Sequence, residues 1–161
     1  MRKYLFALPL AAAFALTLAV PALAVDEVNV STGATVPGPG LAVHGHDVVA
    51  YLTHGAPTLG SAEFSHVHEG ATYRFASQAN LDVFEADPAK YVPAYGGFCA
   101  YGVAVGKKFD GDPRFWKVVD GRLYLNLNGD IQATWLEDVP GHIAEADENW
   151  TEIRSVAVED L

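Results

Sequence analysis

Alternating apolar and polar positions predict a β-hairpin over residues 63–75. Glu69-Gly70 supplies its turn, and the two strands then share one apolar face, made of Phe64, His66, Tyr73 and Phe75. His66 is therefore predicted to point toward the core, opposite Tyr73, and Phe64 is predicted to pair with Phe75.

A second hairpin is predicted around Asp120-Gly121, a dipeptide that favours two-residue turns. The strands on either side cover residues 115–119 and 122–127, and leucines take alternate positions in the second strand. A β-branched and aromatic run at residues 48–53 predicts a further short strand. Val103 and Val105 alternate as in a strand, but the glycines of the preceding stretch leave its conformation open.

Helices are predicted between and after the hairpins. Ser77 is a candidate N-cap for a helix that ends at Asp87-Pro88. Two more helices are predicted at residues 130–138 and 140–150. Separate hairpins and helices, without alternating βαβ units, predict an α+β fold: a small single domain with antiparallel hairpins packed against several short helices.

The N-terminal residues have the pattern of an export signal. Arg2 and Lys3 precede an apolar run, and small residues lead to a predicted cut after Ala24. An uncleaved membrane anchor is the alternative, because the run is about as long as a bilayer span. We expect an exported protein, periplasmic or secreted and free of the membrane after cleavage, divided into a signal peptide at 1–24, a flexible lead-in at 25–40, the domain at 41–150 and a C-terminal tail at 151–161.

The charge of the chain excludes one class of partner. The formal net charge is −10, and removal of residues 1–24 takes away Arg2 and Lys3 and leaves −12. Nucleic-acid binding relies on clustered positive charge, so we expect no nucleic-acid partner. The chain has one cysteine, Cys99, so it cannot form an intramolecular disulfide in an oxidising compartment.

Cys99 is the leading candidate for chemistry, since it lies in a stretch of glycines and aromatic residues at positions 95–102. The thiol is a packed core group, a metal ligand or a reactive group that pairs with outside partners. A reactive thiol needs a lowered pKa. Lys107, Lys108 and the histidines are the candidate sources of the positive charge that would lower it.

Two His-x-His pairs, His44 with His46 and His66 with His68, are candidate metal ligands. Side chains two residues apart on a strand share a face, so either pair could bind one ion through neutral imidazoles. His46 adjoins Asp47, a carboxylate that could orient its ring. The competing interpretation makes His66 a hydrogen-bonded ring on the core side and His68 a solvated residue beside a turn.

Five segments taken together point to a family: Gly45-His46-Asp47-Val48-Val49-Ala50-Tyr51, Gly60-Ser61-Ala62-Glu63-Phe64, Tyr73-Arg74-Phe75-Ala76-Ser77, Tyr95-Gly96-Gly97-Phe98-Cys99-Ala100-Tyr101 and Asp120-Gly121-Arg122-Leu123-Tyr124-Leu125-Asn126. With these segments, the chain resembles the exported stand-alone subset of the YHS-domain family over about residues 41–150.

The resemblance implies a small α+β domain and two possible roles. Some YHS relatives, attached to metal-transporting ATPases, are associated with soft metal ions through cysteines, and the matching positions here are Ala50 and Ala76. Those ligands are therefore missing from this chain. Some exported members have selenocysteine at the position that matches Cys99, which suggests an exposed redox or ligand role for this residue.

Three functions follow as hypotheses. The first is an exported binding protein that holds copper or zinc through Cys99 with His44, His46 and His66, because a thiolate with imidazoles suits such ions. The second is a redox protein or enzyme in which Cys99 is catalytic and a small external thiol resolves it. The third is a structural or partner-binding domain in which Cys99 is packing, so the sequence leaves open whether the protein is an enzyme.

Overall fold

Two antiparallel hairpins surrounded by short helices form the fold, in a computed structural model that describes residues 27–31 and 40–161. The strands are β1 Val30–Ser31, β2 Leu41–Ala42, β3 Ser61–His68, β4 Ala71–Phe75, β5 Asp112–Val119 and β6 Arg122–Asn126. The helices are α1 Val48–Thr53, α2 Gln78–Ala86, α3 Pro88–Tyr91, α4 Ala100–Ala104, α5 Gly129–Glu137 and α6 Val139–Ile153. This confirms the predicted α+β class. The predicted signal peptide and most of the lead-in lie outside the described residues.

The first hairpin belongs to a four-stranded sheet in the order β1-β2-β4-β3. Strands β3 and β4 pair antiparallel on either side of Glu69-Gly70, and His66 lies opposite Tyr73. The predicted turn and the pairing near it are therefore confirmed.

The pairing predicted at the far end of this hairpin is wrong. Phe75 pairs with Ser61 instead of Phe64, because the register shifts between Ser61 and Ser65. Such a bulge inserts unpaired residues into one strand, and the alternation of side chains does not show where this happens.

The second hairpin forms around Asp120-Gly121 as predicted, with Val119 opposite Arg122. Strand β5 begins three residues earlier than expected, at Asp112. Strand β6 is buried on both faces along most of its length, so it lies within the molecule and not at its surface.

Residues 48–53 form helix α1 and not the predicted strand. Asp47 is the N-cap: its Oδ1 accepts hydrogen bonds from Val49 N at 2.9 Å and from Ala50 N at 3.2 Å. Residues 48–51 are all buried, so the segment has no polar face. An unbroken apolar run does not distinguish a buried strand from a buried helix, and here the cap determines the outcome.

Helix α2 begins at its predicted cap, and helix α6 begins close to its predicted start. Ser77 Oγ accepts from Asn80 N at 3.2 Å at the start of α2, and Pro140 lies in the first turn of α6. Helix α5 has a cap that the sequence did not single out, Asn128, whose Oδ1 accepts from Ile131 N at 2.9 Å. None of the helices in the described part of the chain has the length and apolar character of a membrane span.

The buried side chains form two clusters that share strand β6. Leu123 and Leu125 belong to the cluster under the first hairpin, α1 and α2. Tyr124 belongs to the cluster built from residues 94–104 and helices α5 and α6. Successive side chains of a strand point to opposite faces, so β6 connects the two halves of the core.

The C-terminal segment, predicted as a loose tail, is bonded to the loop after α4. Helix α6 continues through residues 151–153, and Ile153 is buried. Lys108 Nζ donates hydrogen bonds to Arg154 O at 2.8 Å and to Val156 O at 2.7 Å. The tail therefore packs against the domain.

Candidate functional site

Cys99 precedes helix α4 and caps it with its sulfur. Sγ accepts a hydrogen bond from Gly102 N at 3.4 Å, and Cys99 N donates to Phe109 O at 2.8 Å. The residue is 0% exposed. This cap starts helix α4, so Val103 is helical and Val105 lies at the end of the helix.

The surroundings of Cys99 keep its thiol protonated. Burial raises the pKa of the thiol, and the backbone N–H groups of Gly102, Leu127 and Tyr101 lower it by less. The carboxylate of Asp110 raises this pKa further. A thiolate, the form that acts as nucleophile or metal ligand, is therefore disfavoured in this arrangement at neutral pH.

The two lysines considered as sources of positive charge have other partners. Lys108 Nζ bonds to carbonyls that follow helix α6, and Lys107 Nζ donates to Leu161 O at 2.7 Å. Neither lysine is among the groups that shift the pKa of Cys99. A reactive thiol needs a lowered pKa, and neither lysine lowers the pKa of the Cys99 thiol.

The glycines beside Cys99 serve the packing of the backbone. Tyr95, Gly96 and Gly97 have φ values of +54°, +62° and +87°, in the left-handed region that glycine tolerates best. Asn29 N donates to Gly96 O at 2.9 Å, and a Cβ at Gly96 would collide with Glu27 O. This stretch therefore leaves room for residues 27–31, which lie on the domain.

The three histidines predicted as metal ligands each bond to a different group: His44 Nε2 to Asp110 Oδ2 at 2.9 Å, His46 Nδ1 to Val43 O at 3.3 Å and His66 Nδ1 to Glu85 Oε1 at 2.9 Å. The ring of His66 lies 6.0 Å from that of Phe84, on the core side as predicted. Asp110 also acts on the pKa of Cys99, so His44 and the thiol share a neighbour.

The side chains as arranged do not fit a copper or zinc ion. Across residues 27–31 and 40–161, no three or more His, Cys, Asp or Glu side chains are grouped so that they could hold a metal. The thiol is enclosed by protein, and the histidine rings have the separate partners given above.

Asp47 is a structural group and bonds to neither ring nitrogen of His46. It is 0% exposed, and its Oδ2 accepts from Ala76 N at 2.8 Å and from Asn80 Nδ2 at 2.6 Å. Its Oδ1 accepts a hydrogen bond from Ala50 N, so this one carboxylate bonds to both Ala50 and Ala76. By the resemblance described above, these are the two positions that match the cysteines of metal-binding relatives. In this chain both positions hold methyl groups.

A cleft of about 410 Å³ lies between the β3–β4 turn and the junction of α2 with α3. Its walls are His68 and Glu69 of the turn, residues 86–89 of the junction, residues 92–93, and Arg122 at the start of β6. The volume lies within the range of small-molecule sites. The cleft cannot be predicted from the sequence, because three segments far apart in the chain form it and none of them has a local signature.

Charged groups line the cleft without neutralising one another. No nitrogen of Arg122 lies within 4.0 Å of a carboxylate oxygen of any described residue, and Asp87 likewise has no ion-pair partner there. The guanidinium of Arg122 lies 5.8 Å from the centre of the Tyr95 ring. The side chain of Glu69 is 66% exposed and 3.9 Å from His68 Nε2. These charges are available to a ligand.

A buried hydroxyl lies next to the turn that forms one wall. Tyr73 is 1% exposed, and its O–H has no hydrogen-bond partner among the described residues. Burial raises the pKa of Tyr73, and the carboxylate of Glu69 raises it further. Its ring lies 6.3 Å from that of His68. An unpaired buried hydroxyl is costly, and this one is among four buried side-chain polar atoms of the described residues that have no hydrogen-bond partner.

Comparison with known families identifies one part of the chain. A family model of the YHS domain matches residues 50–95, a segment that holds every wall residue of the cleft except Arg122. No curated protein and no solved structure matches the chain significantly. The match is consistent in broad terms with metal binding, and it specifies neither an ion nor its ligands. The resemblance seen in the sequence is thus confirmed at residues 50–95, which match the YHS-domain model; this stretch is called the YHS segment below.

Proposed function

We propose that this chain is an exported, non-catalytic binding domain that takes a small molecule in the cleft beside the β3–β4 turn. The proposal rests on the cleft itself, a concave site of about 410 Å³ built almost wholly by the YHS segment. Ligand sites are commonly concave and largely apolar, with a few convergent polar groups. Here Glu69, Asp87 and Arg122 supply those groups.

In this proposal Cys99 is part of the core. The residue is fully buried, burial raises its pKa, and its sulfur caps helix α4. A free cysteine in such a position behaves as a small hydrophobic side chain. The redox hypothesis needs an accessible thiolate, and both the access and the ionisation are disfavoured in this structure.

Binding in the cleft is tested by screening a set of small polar and apolar fragments against the ¹⁵N-labelled chain by NMR. We expect saturable shifts of the amides of residues 68–69, 86–87, 89 and 122. Ala89→Trp places a large side chain in the wall of the cleft and should abolish these shifts.

The matched control is Ala133→Trp, a change of the same size at an exposed position on α5. This variant should bind the fragments as the wild type does. The proposal is refuted if no fragment shifts the cleft amides, or if the two tryptophan variants bind equally well.

Binding of copper or zinc through Cys99 with His44, His46 and His66 is the second candidate function. One observation favours it besides the YHS match: Asp110 pairs with His44, and the residue before it, Phe109, accepts a hydrogen bond from Cys99 N. An ion at this place would require the His44–Asp110 pair to open and the thiol to lose its proton.

A titration of the demetallated chain with copper and with zinc tests this candidate. Stoichiometric binding that disappears in both Cys99→Ser and His44→Ala, but persists in His54→Ala, would support it. His54 is an exposed histidine beyond the end of α1, so it is a suitable control. Binding that is absent or unchanged by Cys99→Ser would eliminate it.

A further inference from the structure

We infer that the cleft selects a small zwitterion, a molecule with one carboxylate and one ammonium group on a short apolar body, such as a free α-amino acid. This inference rests on the proposed function, since it specifies the class of ligand for the same cleft. It follows from the signs of the charged residues that line the cleft, from the lack of ion pairs among them and from the apolar residues in the same walls.

Residues of opposite charge line this cleft but form no ion pair with one another. Arg122 lines the same space as Glu69 and Asp87, yet its nitrogens lie beyond 4.0 Å of their carboxylate oxygens. Oppositely charged side chains that remain apart leave an interval that a molecule with both charges can bridge. The carboxylate of such a ligand would bind Arg122, and its ammonium group would bind Asp87 or Glu69.

The geometry of Arg122 suits this role. A guanidinium binds a carboxylate through two parallel hydrogen bonds. The contact of Arg122 with the face of Tyr95, at 5.8 Å, restricts the freedom of the side chain before any ligand arrives. A group held in place loses less conformational entropy on binding.

Ligands with a single charge fit the cleft less well. A simple cation would pair with the carboxylates and leave the guanidinium of Arg122 without a partner. A simple anion would bind Arg122 but would also face Glu69 and Asp87, and like charges at close range are costly. A ligand with both signs of charge avoids both penalties.

The remaining wall residues accommodate a short aliphatic group. Pro88, Ala89, Val92 and Pro93 line the cleft with apolar surface, and Pro93 is buried beneath it. Apolar surface of this kind favours a compact hydrocarbon side chain over a polar one. Leucine therefore combines the expected features in one available molecule.

The test compares three probes by NMR titration of the ¹⁵N-labelled chain: leucine, leucinamide, which lacks the carboxylate, and 4-methylpentanoate, which lacks the ammonium group. Leucine should shift the amides of Glu69, Asp87 and Arg122 with saturation. Each analogue should bind about tenfold more weakly or worse. Arg122→Gln and Asp87→Asn should each weaken leucine binding by a similar factor.

The control variant is Arg114→Gln, which removes a guanidinium that pairs with Asp112 outside the cleft. It should bind leucine as the wild type does. If either analogue binds as tightly as leucine, the inference is overturned while binding in the cleft still stands. If none of the three probes shifts a cleft amide, the inference fails, and the fragment screen then decides whether the proposed function fails with it.

Discussion

Asp47 shows how a single side chain can set the structure of two segments. Its two carboxylate oxygens accept four hydrogen bonds, two at the start of α1 and two at the junction of β4 with α2. It is one of the few polar residues in the core. A buried carboxylate with several donors stabilises a fold, because each donor would otherwise be left without a partner.

Replacement of this carboxylate should destabilise the chain more than replacement of an exposed one. We expect Asp47→Ala to lower the free energy of unfolding by about 3 kcal/mol, through loss of the cap and of the bonds to Ala76 and Asn80. Urea denaturation measures the change. Asp130→Ala, at an exposed position in the first turn of α5, should cost about 0.5 kcal/mol or less. Equal effects of the two changes would show that Asp47 lacks this role.

The thiol of Cys99 should make stability depend on pH in the alkaline range. Burial raises the folded-state pKa above the unfolded value, so the folded chain retains this proton to higher pH. The contribution of the thiol is then constant below the unfolded pKa of about 8.5 and is lost as the pH rises above it. The difference in unfolding free energy between the wild type and Cys99→Ala should therefore be larger at about pH 7 than at about pH 10. A difference that grows with pH would contradict the assigned environment.

At the scale of the elements, the sequence predicts structure best where a local signal is complete. Both hairpin turns and the Ser77 cap depend on residues next to one another, and they form where expected. The β-branched run at residues 48–53 favours a strand, and this is why the sequence does not predict helix α1. The run is mostly buried and has no polar face to reveal a helical period, so the cap by Asp47 is the only local sign of the helix. Which side chains meet in space is harder to predict than local structure. Neither the separate partners of the histidines nor the cleft follows from spacing along the chain.

The junction of α6 with the C-terminal segment depends on Lys108. Its ammonium group bonds to Arg154 O and Val156 O and lies 5.4 Å and 5.5 Å from the rings of Phe98 and Trp150. Positive charge at a helix C-terminus is favourable, and these carbonyls would otherwise lose a donor. The C-terminal residues therefore depend on a lysine that lies about 50 residues earlier in the chain.

We expect Lys108→Ala to lower the free energy of unfolding by about 2 kcal/mol and to speed amide hydrogen exchange in residues 150–156. Lys107→Ala is the matched control. Its exposed ammonium group bonds to Leu161 O and should contribute about 0.5 kcal/mol or less. Unchanged exchange at the end of α6 in Lys108→Ala would contradict the assigned contact.

At the scale of the whole molecule, the cleft and the cysteine belong to different parts of the fold. The cleft is formed mainly by the YHS segment at residues 50–95, whereas Cys99 follows that segment and packs against strand β6. We therefore propose binding for the first part and structural packing for the second. The place of Cys99 in the core separates this account most clearly from the metal and redox hypotheses.

Alkylation of Cys99 by iodoacetamide, with and without copper, is the most direct test of that assignment. We expect labelling in the folded chain to be at least about 100-fold slower than in urea, at a rate that copper does not change. Rapid labelling of the folded chain, or specific protection by stoichiometric copper, would contradict it.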